Sequence, residues 1–332
     1  MIGGSRRRPE SRPRSGGVLV RRFRAFLQLL AGLLAGALLA CAPRLLPVPL
    51  APPEPFSATP LVWHATAPGG GVAYLMGSVH LTRERIDGFG SVANAAWEAS
   101  EELVVEVDLS MLSPQDMAAL SARYGSIRPP RSLRHELSDQ SWQQLSAYLT
   151  SRGIAEEQVS GWKPWFVYFV IVQTELARAG FKIEQGVDRM FIEAAVAAGM
   201  PIVALETAAS QLQIFDDLPH SVEELLLQDS LRRIDEFSGE VDALIEAWSD
   251  GGEERLRSLV FQPLVEVPEL QVFYDLVFFQ RNRQMAGRLH QLAKDGKTRF
   301  VVLGAGHMVG EQGLPTLLAG RGWRVERVGG EP

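Results

Sequence analysis

Two histidines in this 332-residue sequence share one local pattern, an apolar run, a glycine and then a histidine three residues later. Gly77 precedes His80 in this way, and Gly304 precedes His307. A short apolar run that ends at glycine is typical of a buried strand, and ligands bind at the carboxyl ends of strands in open α/β sheets. We therefore predict that both imidazoles lie at one sheet edge. Gly77 and Gly304 would let the backbone approach a bound group closely.

Two glutamates, Glu106 and Glu206, close other apolar runs. Two imidazoles and a carboxylate are a sufficient ligand set for a catalytic divalent metal that keeps one position open for water. His80, His307 and Glu106 are the predicted ligands, although Glu106 fits equally well as the general base that takes the proton of the water. A lone strand-end histidine more often has a structural hydrogen bond, and Glu206 suits a helix cap as well as a site. The repeated Gly-x-x-His pattern favours the site.

The elements that position these residues alternate between strand and helix after residue 60, which predicts an α/β fold with a central, mostly parallel sheet surrounded by helices. The first strand should pair with the Gly77 strand as a hairpin. Arg281 and Asn282 fall on the last long helix. The predicted strands span 61–65, 72–79, 103–108, 202–206, 300–303 and 323–328, and the predicted helices span 86–100, 113–153, 166–172, 187–198, 221–248, 268–294 and 314–320.

Charge is distributed unevenly along the chain. Residues 1–41 contain eight arginines and one acidic residue, whereas the whole chain has a net charge of −6, so the remainder is strongly acidic. Phosphate binding depends on clustered lysine and arginine, and an acidic body therefore argues against nucleic acid as a partner.

The arginine-rich start is followed by an apolar segment, residues 25–40, and then by Cys41. This order is typical of a secretory signal, and the segment is too short for a confident membrane span. Leu38–Cys41 resembles the lipobox of bacterial lipoproteins, in which the cysteine is acylated. We therefore predict a signal peptide with lipobox over 1–41 and a protein held at the bacterial cell envelope by a lipid on Cys41. The alternative is an uncleaved anchor with an incidental cysteine.

Proline is frequent after Cys41, and residues 42–60 are predicted to form an extended tether without a core of its own. The folded domain is expected over 61–330. Cys41 is the single cysteine in the chain, so disulfides, a thiol nucleophile and a cysteine-rich zinc site are excluded.

Several short motifs together resemble the TraB/GumN family, which includes the TIKI proteins and is distantly similar to erythromycin esterases and the haem-binding ChaN proteins. They occur in the order of the family and cover nearly all of the chain from residue 61 to 328. The motifs are Tyr74–Leu81, Glu106–Asp108, Lys163–Trp165, Gly186–Asp188, Leu205–Thr207, Gln211–Leu212, Arg281–Asn282, Gly304–His307 and Gly313–Leu314. Gln280 departs from the family pattern, in which an acidic residue is expected before Arg-Asn.

The resemblance implies a metal-dependent hydrolase, because TIKI proteins are regarded as metalloproteases that use paired Gly-x-x-His motifs and a glutamate. It implicates His80, His307 and Glu106, with Arg281 and Asn282 in the site and Arg281 opposite the developing oxyanion. The leading hypothesis is an envelope-anchored, metalloprotease-like hydrolase that uses Mn, Co or Zn and acts on a peptide or a small molecule. The alternatives are a lipoprotein that binds haem or metal without catalysis and an inactive regulatory scaffold.

Overall fold

The computed structural model describes residues 54–329, which form a central six-stranded sheet with helices packed around it. The strand order is β6-β5-β7-β3-β2-β8. The β6-β5, β5-β7 and β7-β3 pairs are parallel, whereas β2 pairs antiparallel with both β3 and β8. The predicted α/β class with a mostly parallel sheet is confirmed. The strands are β1 (Phe56–Ser57), β2 (Val62–Thr66), β3 (Val72–Ser78), β4 (Ile86–Gly88), β5 (Glu102–Val105), β6 (Ile202–Ala204), β7 (Thr298–Gly304) and β8 (Arg324–Val328).

The two Gly-x-x-His strands are immediate neighbours. β3 and β7 run parallel in a register that pairs Gly77 with Leu303 and Ser78 with Gly304. Both strands are almost wholly buried because helices cover the two faces of the sheet, which explains their continuous apolar sequences. β5 lies on the other side of β7 and β6 lies beyond it. The carboxyl ends of four adjacent strands therefore meet at one edge, as predicted for the two histidines.

The helices alternate with these strands and supply the second layer of the core. The run 166–172 lies inside a buried helix, as predicted, and Gly199 with φ of +64° ends the helix before β6. The helices are α1 (Gly90–Glu98), α2 (Pro114–Gly125), α3 (Leu133–Glu136), α4 (Asp139–Arg152), α5 (Pro164–Arg178), α6 (Val187–Ala198), α7 (Ala208–Asp216), α8 (His220–Arg232), α9 (Phe237–Ser249), α10 (Glu253–Glu266), α11 (Gln271–Tyr274), α12 (Gln280–Leu292) and α13 (Leu314–Ala319).

Three predicted helices differ from the structure. The predicted helix 113–153 is divided into α2, α3 and α4. Residues 86–88 form β4, and α1 begins only at Gly90, whose φ of +73° is a turn conformation that suits glycine. The predicted helix 221–248 is divided into α8 and α9. Its predicted capping box between Ser221 and Glu224 is wrong, because the Glu224 carboxylate accepts hydrogen bonds from Ser138 and Ser141 of another segment. A tertiary contact has replaced a local one.

The predicted long helix 268–294 is interrupted by a π-helical turn at Asp275–Phe279. α12 begins directly after this turn, so Arg281 and Asn282 lie in its first turn. A π-helical turn inserts a residue into the helical ladder and turns the following side chains, and such turns are frequent at functional sites. Hydrophobic periodicity does not reveal this insertion.

The predicted tether 42–60 is too long at its carboxyl end. Phe56–Ser57 forms β1 and pairs with β4, Ala58 is fully buried, and the Thr59 amide donates to the Ser249 carbonyl. These last residues belong to the domain because β4 would otherwise lack a partner. The predicted signal peptide, Cys41 and the first part of the predicted tether lie outside the described residues. Within 54–329, no helix combines the length and the apolar character that crossing a membrane requires.

A buried carboxyl group on α8 predicts how stability depends on pH. Burial raises the pKa of Glu223 to about 7, although the Trp165 amide and Lys163 oppose the shift. Between pH 4.5 and 7 the folded state thus holds a proton that the unfolded state has lost, so the free energy of unfolding falls as pH rises through this window. The loss is on the order of 3 kcal/mol.

The variant Glu223→Gln keeps a neutral side chain at every pH, and we expect its free energy of unfolding to fall less than that of the wild type between pH 5 and pH 8. Urea denaturation at pH 5 and pH 8 measures the change in the free energy of unfolding for each of the two proteins. Equal changes in the two proteins would show that Glu223 is ionised at both pH values in the folded state.

Candidate functional site

Three strand ends bring their functional side chains to one point beside Gly304. A Cβ atom added to Gly304 would lie 3.2 Å from Glu106 Oε1, 3.3 Å from His80 Nε2 and 3.6 Å from His307 Cδ2. The three side chains are at most 3% exposed. Glycine at this position therefore provides the space in which two imidazoles and a carboxylate meet, and the predicted convergence of His80, His307 and Glu106 is present in the structure.

His80 is held from behind by Asp188, which lies in the first turn of α6. His80 Nδ1 is 3.0 Å from Asp188 Oδ1, which is ion-pair distance, although the two atoms are not aligned as a hydrogen bond. Gly186 allows this approach, because a Cβ there would lie 2.4 Å from the His80 carbonyl oxygen. Burial lowers the pKa of His80, but Asp188 and Glu106 more than offset it, so the pKa is raised. The imidazole is a stronger base than usual.

His307 is fixed by Asn282 through its other ring nitrogen. Asn282 Oδ1 lies 2.5 Å from His307 Nδ1, and the amide nitrogen of Asn282 donates to the Gln312 carbonyl, which sets the orientation of the amide. The amide oxygen only accepts, so Nδ1 carries the proton and Nε2 presents a lone pair to the cluster. Burial and the Arg281 cation lower the pKa of His307 to about 3. This imidazole is therefore neutral at physiological pH.

Arg281 joins two of the strand ends through its guanidinium group. Nη2 donates to Glu106 Oε2 at 2.5 Å and to Glu206 Oε2 at 2.6 Å, and Nη1 lies 3.1 Å from His307 Nε2. Nη1 also donates to the Val277 carbonyl in the π-helical turn. Burial lowers the pKa of Arg281, but the two glutamates reverse the effect and keep the side chain charged.

Glu106 accepts hydrogen bonds at both carboxylate oxygens. The Gly304 amide donates to Oε1 at 2.7 Å, and Gln211 donates to Oε2 at 3.0 Å. Gln211 also donates to Glu206 and so links the two glutamates. Burial raises the pKa of Glu106, but Arg281 and the Gly304 amide outweigh it and lower the pKa to about 2. Glu106 is therefore a carboxylate throughout the physiological range.

A pocket of about 510 Å³ opens onto this cluster. His80 and Asp188 line it, whereas Glu106, His307 and Arg281 are not among its lining residues. Apolar side chains from α6 and from the segment 109–117 form most of the remaining wall. His80 is consequently the imidazole of the cluster that meets the pocket.

Comparison with known proteins places the chain in a family. The sequence model of the TraB/PrgY/gumN family matches residues 61–327, which is most of the chain. The chain belongs to this family. It is also 23% identical over 256 residues to the uncharacterised protein YbaP of Shigella flexneri and to YbaP of Escherichia coli strain K12. Each alignment covers 76% of this chain and 90% of the relative. No solved structure matches the chain significantly.

The resemblance to the family implies a divalent metal, and the cluster offers donor groups of a suitable type, two imidazoles and a carboxylate. Two imidazoles present Nε2 towards a carboxylate, and His307 Nε2 lies 3.7 Å from Glu106 Oε1. Two ligands about 2.1 Å from one tetrahedral metal lie about 3.4 Å apart. Asp188 and Asn282 hold the far side of each ring, as is usual behind metal-ligating histidines.

Charge also favours a cation at this point. Three carboxylates, those of Glu106, Glu206 and Asp188, surround the cluster. Arg281 contacts Glu106 and Glu206, whereas Asp188 contacts His80. The Nε2 lone pair of His307 cannot serve Arg281 and a metal at once, however. Within the described chain no three histidine, cysteine or acidic side chains are already arranged around a metal position. Metal binding thus requires His307 to leave Arg281.

Of the predicted site residues, the structure brings seven together around one point: His80, Glu106, Glu206, Arg281, Asn282, Gly304 and His307. Gly77 lies apart from them. A Cβ at Gly77 would lie 2.9 Å from the Ala305 Cα, so this glycine lets the turn before His307 pack on β3.

Sequence reasoning missed Asp188 and Gln211 as site residues. Both lie within motifs that carry the family resemblance, which was the available signal. Nothing in their local sequence shows that Asp188 points at His80 or that Gln211 bridges two glutamates. These contacts depend on how α6 and α7 pack against the sheet.

We predict that Gly304→Ala damages the site while leaving the fold intact. The φ of Gly304 is −48°, which alanine adopts readily, but the new methyl group would press on Glu106 Oε1 and His80 Nε2. We expect any reaction that uses these side chains to slow by about tenfold or more, since small displacements of reacting groups are costly. Thermal denaturation should show a much smaller change. Activity equal to that of the wild type would show that the space beside Gly304 is not used.

Proposed function

We propose that this protein is a hydrolase that cleaves an amide bond, with a water molecule activated between His80, Glu106 and His307. The observation that carries the proposal is the convergence of these three side chains on Gly304, beside a pocket of about 510 Å³ that His80 lines. Buried titratable groups with shifted pKa values at the edge of a cleft are typical of catalytic sites.

Each side chain has a role that its surroundings favour. His80 meets the pocket and has a raised pKa, which suits a base that takes the proton of the attacking water. Asp188 orients its ring and stabilises the imidazolium that forms. Glu106 stays ionised and can either hold a cation or assist the water. Arg281 offsets part of the negative charge of the two glutamates.

In a metal-dependent form of the proposal, His80, His307 and Glu106 would hold a divalent metal of the Mn, Co or Zn type. His80 would then be a ligand and not the base, and Glu106 would be a ligand or the base. When bound, such an ion supplies a Lewis acid that lowers the pKa of water and polarises a carbonyl oxygen. The neutral state of His307 and the excess of carboxylates over guanidinium in the cluster support this form of the proposal.

Hydrolysis without a metal is a second candidate, and the position of Arg281 favours it. The guanidinium already neutralises Glu106 and contacts the His307 lone pair. In this form His80 and Asp188 act as a base and its orienting carboxylate, which is a sufficient arrangement for activating water.

An activity assay of purified protein stripped of metal distinguishes the metal-dependent form from the metal-free form. A peptide library and small-molecule amides are incubated with the protein, alone and with Mn²⁺, Co²⁺ or Zn²⁺, and products are measured by mass spectrometry. Cleavage that requires an added ion supports the metal form, and cleavage that a chelator leaves unchanged supports the second candidate. Metal or haem binding without cleavage under any condition would favour a binding lipoprotein, and neither binding nor cleavage would favour a regulatory scaffold.

We also propose that the domain is held at the cell envelope by a lipid on Cys41. The support is the order of basic segment, apolar segment and cysteine in the sequence. Labelling with a fatty-acid analogue in a bacterial host should mark the wild type and not Cys41→Ser. Equal labelling of the two proteins would remove the proposed anchor.

A further inference from the structure

The pocket beside His80 has a chemical character that identifies what it accepts. Its wall is formed mainly by aliphatic side chains from α6, from the segment before α2 and from the turn before α6. The apolar residues that define it are Leu109, Leu112, Met117, Ile183, Ile192 and Ala197. A cavity of about 510 Å³ lies in the range that holds small organic ligands.

Four polar residues that line the pocket, other than His80 and Asp188 of the cluster, have partners of their own. Arg189 and Glu193 form an i,i+4 ion pair at 2.9 Å. Ser110 donates to Asp108, and Ser113 is engaged with Asp116 in the cap of α2. These serines and this ion pair offer no unpaired charge to a ligand. The composition of the pocket therefore disfavours a charged group and favours an apolar one.

Apolar surface continues from the pocket onto its rim. Among residues 54–329, four large apolar side chains are exposed, and two of them border this pocket: Met111 is 78% exposed and Val196 is 58% exposed. Met111 lies between the lining residues Leu109 and Leu112, and Val196 is itself a lining residue. Exposed apolar side chains that gather at a cleft indicate a binding surface.

We propose that this pocket is a specificity subsite for a large uncharged apolar side chain of a peptide, next to the bond that is cleaved. The inference rests on the proposed hydrolase function and adds the substrate class. His80 connects the two, because it lines the pocket and belongs to the cluster. The exposed rim favours a peptide over an isolated acyl chain, since neighbouring residues of a longer chain would cover Met111 and Val196.

Binding is tested separately from cleavage with N-acetyl-4-fluorophenylalaninamide, whose fluorine resonance reports binding by broadening and hydrolysis by a new signal. We expect a dissociation constant of about 1 mM for a fragment of this size. Ala197→Trp should place an indole in part of the pocket and weaken binding about tenfold or more. Ala194→Trp is the matched control, because Ala194 is also exposed on α6 but does not line the pocket. N-acetyl-lysinamide and octanoyl amide are tested as competitors of the fluorinated probe.

Binding of the fluorinated probe that Ala197→Trp abolishes and Ala194→Trp preserves supports the subsite, even if no amide is cleaved. Equal binding of the probe to both variants would overturn it. So would a dissociation constant of N-acetyl-lysinamide, measured by competition, that equals that of the probe. Octanoyl amide as the tighter competitor would overturn the assignment to a peptide side chain in favour of an acyl chain. In the cleavage assay, the subsite predicts that peptides with Leu or Phe beside the cleaved bond react about tenfold faster than those with Lys or Asp.

Discussion

Arg281→Met is expected to lower the free energy of unfolding by about 3 to 5 kcal/mol, the usual cost of removing one partner from a buried ion pair. The guanidinium is 3% exposed and lies between the carboxylates of Glu106 and Glu206. Methionine fills most of the space, so the loss reports two uncompensated carboxylates rather than a cavity. Urea denaturation at neutral pH measures it.

The effect of Arg281→Met should diminish in acid. The wild type keeps Glu106 ionised because its folded pKa of about 2 lies below the unfolded value, which contributes stability at neutral pH that is lost as pH falls towards 2. Without Arg281 the carboxylates can take up protons and the deficit shrinks. Arg283→Met on the same helix, where the side chain is exposed and contacts Gln312, should cost less than about 0.5 kcal/mol. Similar losses in the free energy of unfolding in the two variants would mean that Arg281 does not offset the charge of Glu106 and Glu206.

His307→Ala is expected to reduce the rate of hydrolysis by at least about 10²-fold, although His307 is not among the residues lining the pocket. The variant removes one of the three groups that meet beside Gly304 and leaves Asn282 and Arg281 without a partner on that side. The rate of peptide cleavage, with thermal denaturation as a check on folding, measures the effect. The dissociation constant of the fluorinated probe should be unchanged.

The matched control for this variant is His290→Ala. His290 lies on α12, accepts a hydrogen bond from the Trp323 indole and is distant from the cluster in the register of the helix. We expect His290→Ala to lower the free energy of unfolding, and we expect its cleavage rate to stay within about twofold of the wild-type rate. If the cleavage rate of His290→Ala falls as much as that of His307→Ala, removal of any partly buried imidazole is sufficient to lower the rate. The result for His307→Ala would then say nothing about the site.

The backbone of the site follows from sequence pattern because strands covered on both faces have continuous apolar sequences. That rule places β3 and β7, and the preference for ligands at carboxyl strand ends places His80, His307 and Glu106 at one edge. The family motifs add Arg281 and Asn282. Each of these inferences depends on residues that lie within a few positions of a strand end or within a recognisable motif.

Other features could not be read from the sequence because they depend on long-range packing. The π-helical turn before Arg281 conforms to the same apolar pattern as an ordinary helix. The approach of Asp188 to His80 depends on how α6 sits against β3 through Gly186. The inclusion of Phe56–Ser57 in the domain depends on a partner strand 30 residues later, in β4. Local propensity contains none of this information.

The cleavage rate of His80→Ala tests the central claim most directly, since His80 is the group that joins the cluster to the pocket. The measurement compares the variant with the wild type on the same peptide mixture, by mass spectrometry, after circular dichroism has shown equal folding. The proposed mechanism predicts a loss of at least about 10²-fold. A His80→Ala protein that is folded and cleaves within about twofold of the wild-type rate would contradict it.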